Sequence, residues 1–329
     1  MPERRVLVTG GTGYIGTVLA PLLASRGVPV RVYCSMAFGN AIAGCPGVEF
    51  VTADIRDAGA LRHAMDGVTD VVHLAGIVTD ELVDMNPALA ARVNEDGTRA
   101  LCQAARRAGV ERLVYASSSS VYGSQDDVCT EGTPPRPQTA YARMKLAGER
   151  IVNEEAGGMA VCSVRSATCC GPAPRMRLDT IVNVFSAQAF FDGRVKVHGG
   201  DQHRSNVHVR DAAELYAWLL DQPRDATHLQ AFNCVRSWAK ASEIALLVQT
   251  EVFRATGHPV GVDVDETKRD ARHYRIASVR LPALGWTPRS SIEEAVWDNV
   301  RWFQSGGVKD WKDDVFYNTR RMAAAMKGA

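Results

Sequence analysis

The chain has 329 residues, 46% apolar and 23% charged, the composition of an ordinary globular protein with one large core or two modest domains sharing a cleft. Its 38 basic and 37 acidic residues leave a net charge of +1. No global field therefore recruits nucleic acid or an anionic membrane, and no apolar run approaches the roughly 18–20 residues of a membrane span.

Met1 to Arg5 is basic, but the apolar run after it breaks at Thr9-Gly10-Gly11, so the start reads as a strand entering a glycine loop rather than a signal peptide. Segments 5–8, 29–33, 48–51, 71–74, 113–116 and 160–164 read as strands. Between them, segments 15–26, 58–65, 87–107 and 140–155 carry apolar residues at helical spacing, with Pro87 behind Asn86 as a first-turn proline. This alternation predicts an α/β fold, a doubly wound parallel sheet of the Rossmann type. After about Gly171 the texture changes. Pro172, Pro174, Arg175 and Arg177 mark an irregular loop, followed by a helix over 180–191, a short strand near 195–197, a return to the core over 207–220 with Trp218 on its apolar stripe, and further helices beyond Ser237. The expected division is a dinucleotide domain over 1–171 with a return segment at about 205–236, and a smaller discontinuous substrate lobe over 172–204 and 237–329. The eight cysteines are scattered without a C-x-x-C pair and read as reduced thiols of a cytoplasmic protein. No histidine spacing suggests a metal site.

Gly10, Gly13 and Gly16 form G-x-x-G-x-x-G between the first strand and the first helix. Glycines there permit a tight turn, a close approach of backbone N–H groups to a pyrophosphate, and close helix–strand packing over a positive helix terminus. The acid that would hold an adenosine ribose, at the end of the second strand, is replaced by Cys34. NADP is then not repelled, yet no arginine or lysine lies between Cys34 and Ala41 to welcome it, and Ser35 can bond either form; NAD is the expected cofactor, with NADP not excluded. Asp54, before Ile55, stands where it can meet the adenine, the alternative being a cap for the helix at 58–65.

Tyr141 and Lys145 lie four residues apart on one helix face. An unperturbed phenol, with a pKa near about 10, is a poor base at neutral pH, and a neighbouring ammonium with the positive charge of an oxidised nicotinamide is expected to lower it. Alone this spacing is a common accident. Its weight comes from Ser117-Ser118-Ser119-Ser120, at the C-terminal end of the strand 113–116, where a serine faces the ligand crevice. The set reads as a metal-free hydride-transfer site.

These residues resemble the extended short-chain dehydrogenase/reductase family, the nucleotide-sugar epimerases and dehydratases. The resemblance runs from the Gly10 loop through Asp54-Ile55, His73-Leu74-Ala75-Gly76, Val93-Asn94, Ser118, Tyr141 and Lys145 to Gly171-Pro172 and Arg204. It implies Ser118, Tyr141 and Lys145 as the catalytic triad. Tyr14, Ile15, Leu74, Ala75, Gly76 and Asn94 would join the glycines, Cys34, Ser35, Asp54 and Ile55 around NAD. Ser119, Ser120, Thr168 and Asn183 would meet the sugar of a nucleotide-diphosphate sugar, with Arg204, Arg269 and Arg272 on the diphosphate. Arg175 and Arg177 would hold a sugar carboxylate, making a uronic acid a candidate substrate. The family's dimer bundle would use the helices at 87–107 and 140–155, so a homodimer is expected.

Departures from the family pattern also matter. Dehydratases carry an Asp-Glu pair where Ser119 and Ser120 stand, and decarboxylases commonly a Glu, so elimination lacks its acid/base agent and both are disfavoured. A 4-epimerase using bound NAD is expected, with an NAD(P)H-dependent ketoreductase as the alternative. Tyr141 and Lys145 are both retained, which argues against a non-catalytic cofactor-binding regulator.

Overall fold

The computed structural model describes residues 4–267 and 274–327; Arg269 and Arg272 lie outside the described residues. Seven strands form the central sheet: β1 (Val6–Thr9), β2 (Val30–Cys34), β3 (Val48–Thr52), β4 (Asp70–His73), β5 (Arg112–Ala116), β6 (Ala160–Ser166) and β7 (Gln230–Cys234). Their order is β7-β6-β5-β4-β1-β2-β3, with every neighbouring pair parallel. The chain reverses its direction of travel across the sheet between β1 and β4, and that switch point opens the ligand crevice of a doubly wound sheet.

The valine-rich strands β1, β2, β4, β5 and β6 are buried on both faces because helices cover both. Alternate residues serve opposite cores. Val6, Val8, Val72 and Val114 pack with Leu19, Leu23, Leu215 and Tyr216 on one side. Leu7, Val71, Leu113 and Tyr115 pack with Leu61, Leu101 and Val152 on the other. The six strands read from the sequence are all present within a residue or two. β7 lies unread within the return segment: its run Gln-Ala-Phe-Asn-Cys carries too few β-branched residues to announce a strand.

Two helical readings are corrected. The single helix expected over 87–107 is three pieces. Asn86 caps Pro87–Ala91 by accepting a bond from Leu89 N at 3.0 Å, a wider π turn spans Arg92–Asp96, and the α-helix resumes over Gly97–Ala108. The segment 207–220 ends a strand, His203–His208, before the helix Val209–Leu219 begins, with the His208 ring accepting from Arg210 N at 3.0 Å.

Beyond the central sheet, Thr168–Cys170, His203–His208 and Ser237–Lys240 form a three-stranded sheet, and Arg194–His198 pairs with Gly261–Asp265. A third core joins the helices Ile181–Asp192, Ala241–Thr256 and Ile292–Gln304. The last described helix, Asn318–Lys327, reaches back to the Asp80–Met85 helix, where Thr319 donates to Glu81 at 3.0 Å.

Candidate active site

The carboxyl ends of β1, β2, β4 and β5 open into one cavity of about 800 Å³, toward the upper end of the roughly 300–1,000 Å³ typical of ligand sites. At its floor the glycine loop is fixed by close contacts. Gly10 has φ +68°, and a Cβ there would stand 2.8 Å from the Ala75 backbone; a Cβ on Gly16 would stand 2.5 Å from Gly11 Cα. A Cβ on Gly13 would meet only Gly10 O, at 3.1 Å, so the loop leaves that side open to the cavity. Residues 16–25 form the helix α1 (Gly16–Ser25), whose start also borders the cavity. This cradle fits a dinucleotide pyrophosphate over a helix N-terminus.

Cys34, Ser35, Asp54, Ile55, Leu74, Ala75 and Gly76 all line the same cavity, as do Tyr14 and Ile15. Cys34 Sγ lies 3.1 Å from the Thr12 hydroxyl. Asp54 is not the helix cap: Asp57 takes that role, accepting from Gly59 N and Ala60 N at 2.9 Å each. Asp54 instead holds Arg56 through two contacts of 2.9 and 2.8 Å, which keep its carboxyl below the usual range. Asn94 does not line the cavity. It sits behind the wall, its amide accepting from Ile77 N at 2.8 Å and donating to Ile77 O at 2.9 Å, because the π turn aims it at that loop.

Ser118 follows β5 and caps the short 3₁₀ turn Ser119–Tyr122. Its Oγ accepts from Ser120 N at 3.2 Å and lies 2.9 Å from Ser120 Oγ. It also hydrogen-bonds the Tyr141 phenol and lowers its pKa, as a donor to the phenol oxygen does. Tyr141 and Lys145 share the helix Ala140–Glu154, opened by Thr139, whose hydroxyl accepts from Ala142 N at 3.2 Å. Lys145 is buried, donates to Ala116 O at 2.8 Å, and lies 5.9 Å from the centre of the Tyr141 ring. The protein by itself does not bring the phenol into working range. Burial pushes Tyr141 up to about 12, against the pull of Ser118 and the Arg177 charge, and burial pulls Lys145 down to about 8, against Glu149.

Beneath Lys145 a closed polar network holds the helix to the sheet. Glu149 accepts from Arg165 at 2.9 and 2.7 Å and from the Ser117 hydroxyl at 2.5 Å, and Arg165 also donates to Tyr122 Oη at 2.9 Å. The sequence singled out neither Glu149 nor Arg165.

The far end of the cavity is lined by Ser119, Ser120, Thr168 and Arg204. Asn183 is corrected. It is fully buried, away from the cavity, with its oxygen accepting from Gly171 N at 2.8 Å and its NH₂ donating to Arg177 O and Tyr14 Oη at 2.9 Å each. It braces the loop after Gly171 from behind the cavity lining. Arg175 and Arg177, expected together on one sugar carboxylate, both line the cavity but hold different partners. Arg177 pairs with Asp179 at 2.8 Å, so its charge is matched within the protein; Arg175 packs on Phe38, beyond the end of β2.

A family model described as the NAD dependent epimerase/dehydratase family matches residues 6–234. The chain belongs to that family. Its resemblance to the extended short-chain dehydrogenase/reductases is thereby borne out, as is the Rossmann α/β fold. UDP-glucose 4-epimerase of Streptomyces lividans is 30% identical over 322 residues, spanning 92% of this chain and 96% of the relative. Among solved structures, UDP-glucose 4-epimerase of Thermus thermophilus in complex with NAD aligns with a TM-score of 0.80 at 27% identity, covering 92% of this chain and 100% of the other. MoeE5 in complex with UDP-glucuronic acid and NAD aligns at 0.79 and 26% identity, covering 92% and 99%.

In this member of the epimerase/dehydratase family, several wall residues carried no local signal. Phe38, Asp80, Gln202, Tyr274 and Asn318 reach the cavity from loops and from helix ends. Asp80 lies close enough to Tyr141 to raise its pKa. Only the folded topology brings these segments together, so spacing in the sequence had nothing to reveal.

Proposed function

We propose that this protein is a nucleotide-sugar 4-epimerase that works by transient oxidation at C4 with bound NAD, on a UDP-hexose. The observation that carries the reading is the Ser118–Tyr141–Lys145 set at the wall of a cavity continuous with the glycine cradle, with hydroxyls rather than carboxylates at 119 and 120. The names and bound ligands of the full-length relatives support it. The cradle, the small residues 74–76 and the open side of Gly13 fit NAD, which when bound would accept a hydride from the sugar and return it.

The chain's own residues move the proton. Tyr141 takes it from the C4 hydroxyl as the 4-keto sugar forms and returns it to the same oxygen once the sugar has turned over and C4 is reduced on its opposite face. Ser118, whose Oγ already accepts from Ser120, directs its own proton at the phenol oxygen and orients the same hydroxyl. Lys145, held by Ala116 O, supplies a positive charge beside the phenol. Because Tyr141 alone lies near 12, the phenolate depends on positive charge completing the site. Arg177 already has a counter-charge in Asp179, which favours a neutral hexose over a uronic acid.

The test is conversion of UDP-glucose to UDP-galactose followed by NMR. Wild type is expected to equilibrate the pair, and Tyr141→Phe to lower kcat by roughly 10²–10⁴ with little change in KM. A 4-keto-6-deoxy product, or full activity in Tyr141→Phe, contradicts the reading.

A further inference from the structure

Arg175 is 6% exposed, yet among the described residues no carboxylate forms an ion pair with it. Its guanidinium carbon lies 3.9 Å from the centre of the Phe38 ring, one terminal nitrogen donates to Asn318 Oδ1 at 2.6 Å, and its Nε has no hydrogen-bond partner. Arg56, Arg165 and Arg177, by contrast, hold Asp54, Glu149 and Asp179. A buried guanidinium with no carboxylate in contact is unfavourable unless an anion completes it. The cost is visible in its pKa, which burial and the Arg177 charge pull down to about 10 although Asp179, already paired with Arg177, pulls the other way from a distance.

The position of Arg175 identifies the anion. Its backbone N–H donates to the Thr17 hydroxyl at 3.3 Å, on the first turn of α1, and its face covers Phe38, four residues beyond the end of β2. β2 is three strands away from β5, which carries Ser118. Arg175 therefore borders the cavity at the glycine-loop end.

We propose that Arg175 binds a phosphate oxygen of the dinucleotide, reaching from the loop after Gly171 to the cofactor rather than to the sugar. This rests on the cavity being a dinucleotide site. The phosphate is either the pyrophosphate or, since Cys34 offers no charge to repel it, a ribose 2′-phosphate.

Dissociation constants for NAD, NADP and UDP are measured by calorimetry for wild type, Arg175→Met and Arg175→Gln, after co-purified nucleotide is removed. Arg175→Gln keeps an amide for Asn318 should the Met variant not fold. A charge-assisted contact predicts a loss of roughly 10- to 100-fold. Equal loss for NAD and NADP assigns the pyrophosphate; loss confined to NADP assigns the 2′-phosphate; either supports the proposal. Without nucleotide, the variants are expected to melt no lower than wild type, since they remove an unpaired buried cation. Unchanged affinity for both dinucleotides, or a loss confined to UDP, overturns the proposal while leaving the dinucleotide site intact. If wild type binds neither dinucleotide, the reading of the cavity fails and the proposal with it.

Discussion

At the scale of single residues, the departures from the family pattern were legible before the fold was known, because each stands at a fixed offset from a motif. Cys34 at the end of β2 and the serines at 119 and 120 are of this kind. The electrostatics were not legible. His73, read only as part of a small-residue strand end, is a buried neutral imidazole. Thr98 donates its hydroxyl to Asn94 O at 2.6 Å, so its oxygen accepts from His73 Nε2 at 3.0 Å, leaving Nδ1 to accept from Thr9 at 2.7 Å. Burial pulls the ring down to about 3, from an ordinary value of 6.5. Between these values the unfolded chain binds the extra proton, so stability falls as pH falls through that window. Acidification from pH 6.5 to 5 should cost wild type roughly 1.5 kcal/mol more than His73→Gln. Urea unfolding at the two pH values checks this; parallel losses in the two proteins would refute it.

At the scale of elements, periodicity located strands and helices well but could not see the π turn at 92–96. An inserted residue shifts the helical phase by one position while leaving the apolar pattern on both sides intact. The shift turns Asn94 toward the Ile77 backbone, so a residue expected at the cofactor supports the wall instead. Asn94→Ala would strand the buried N–H and C=O of Ile77. It is expected to lower unfolding stability by roughly 2 kcal/mol in denaturant titration. A change below about 0.5 kcal/mol would mean that water or a relaxed loop replaces the amide. Asn183 teaches the same lesson on the other side of the cavity, where a polar residue near a site motif serves the loop backbone.

At the scale of the whole molecule, strand–helix alternation was enough to predict the doubly wound sheet, and the glycine loop was enough to place its crevice. What remained hidden is what the chain assembles from distant segments. Phe38, Arg175 and Asn318 come from opposite ends and the middle of the chain, yet meet at one end of the cavity. Local spacing holds no information on such meetings, which depend on how the loop after Gly171 and the last helix fold back over the sheet. The division into a dinucleotide domain and a discontinuous substrate lobe is proposed on the same grounds, since the third core lies wholly beyond residue 169.

The central claim is a closed redox cycle, in which Tyr141 and a retained dinucleotide oxidise and restore the same sugar carbon. The most direct test is to denature the purified protein and identify the released nucleotide by mass spectrometry. The account predicts NAD in near-equal molar amount with the chain. A protein that releases no dinucleotide, and instead consumes added NAD(P)H in step with a keto sugar, would contradict it and identify a reductase.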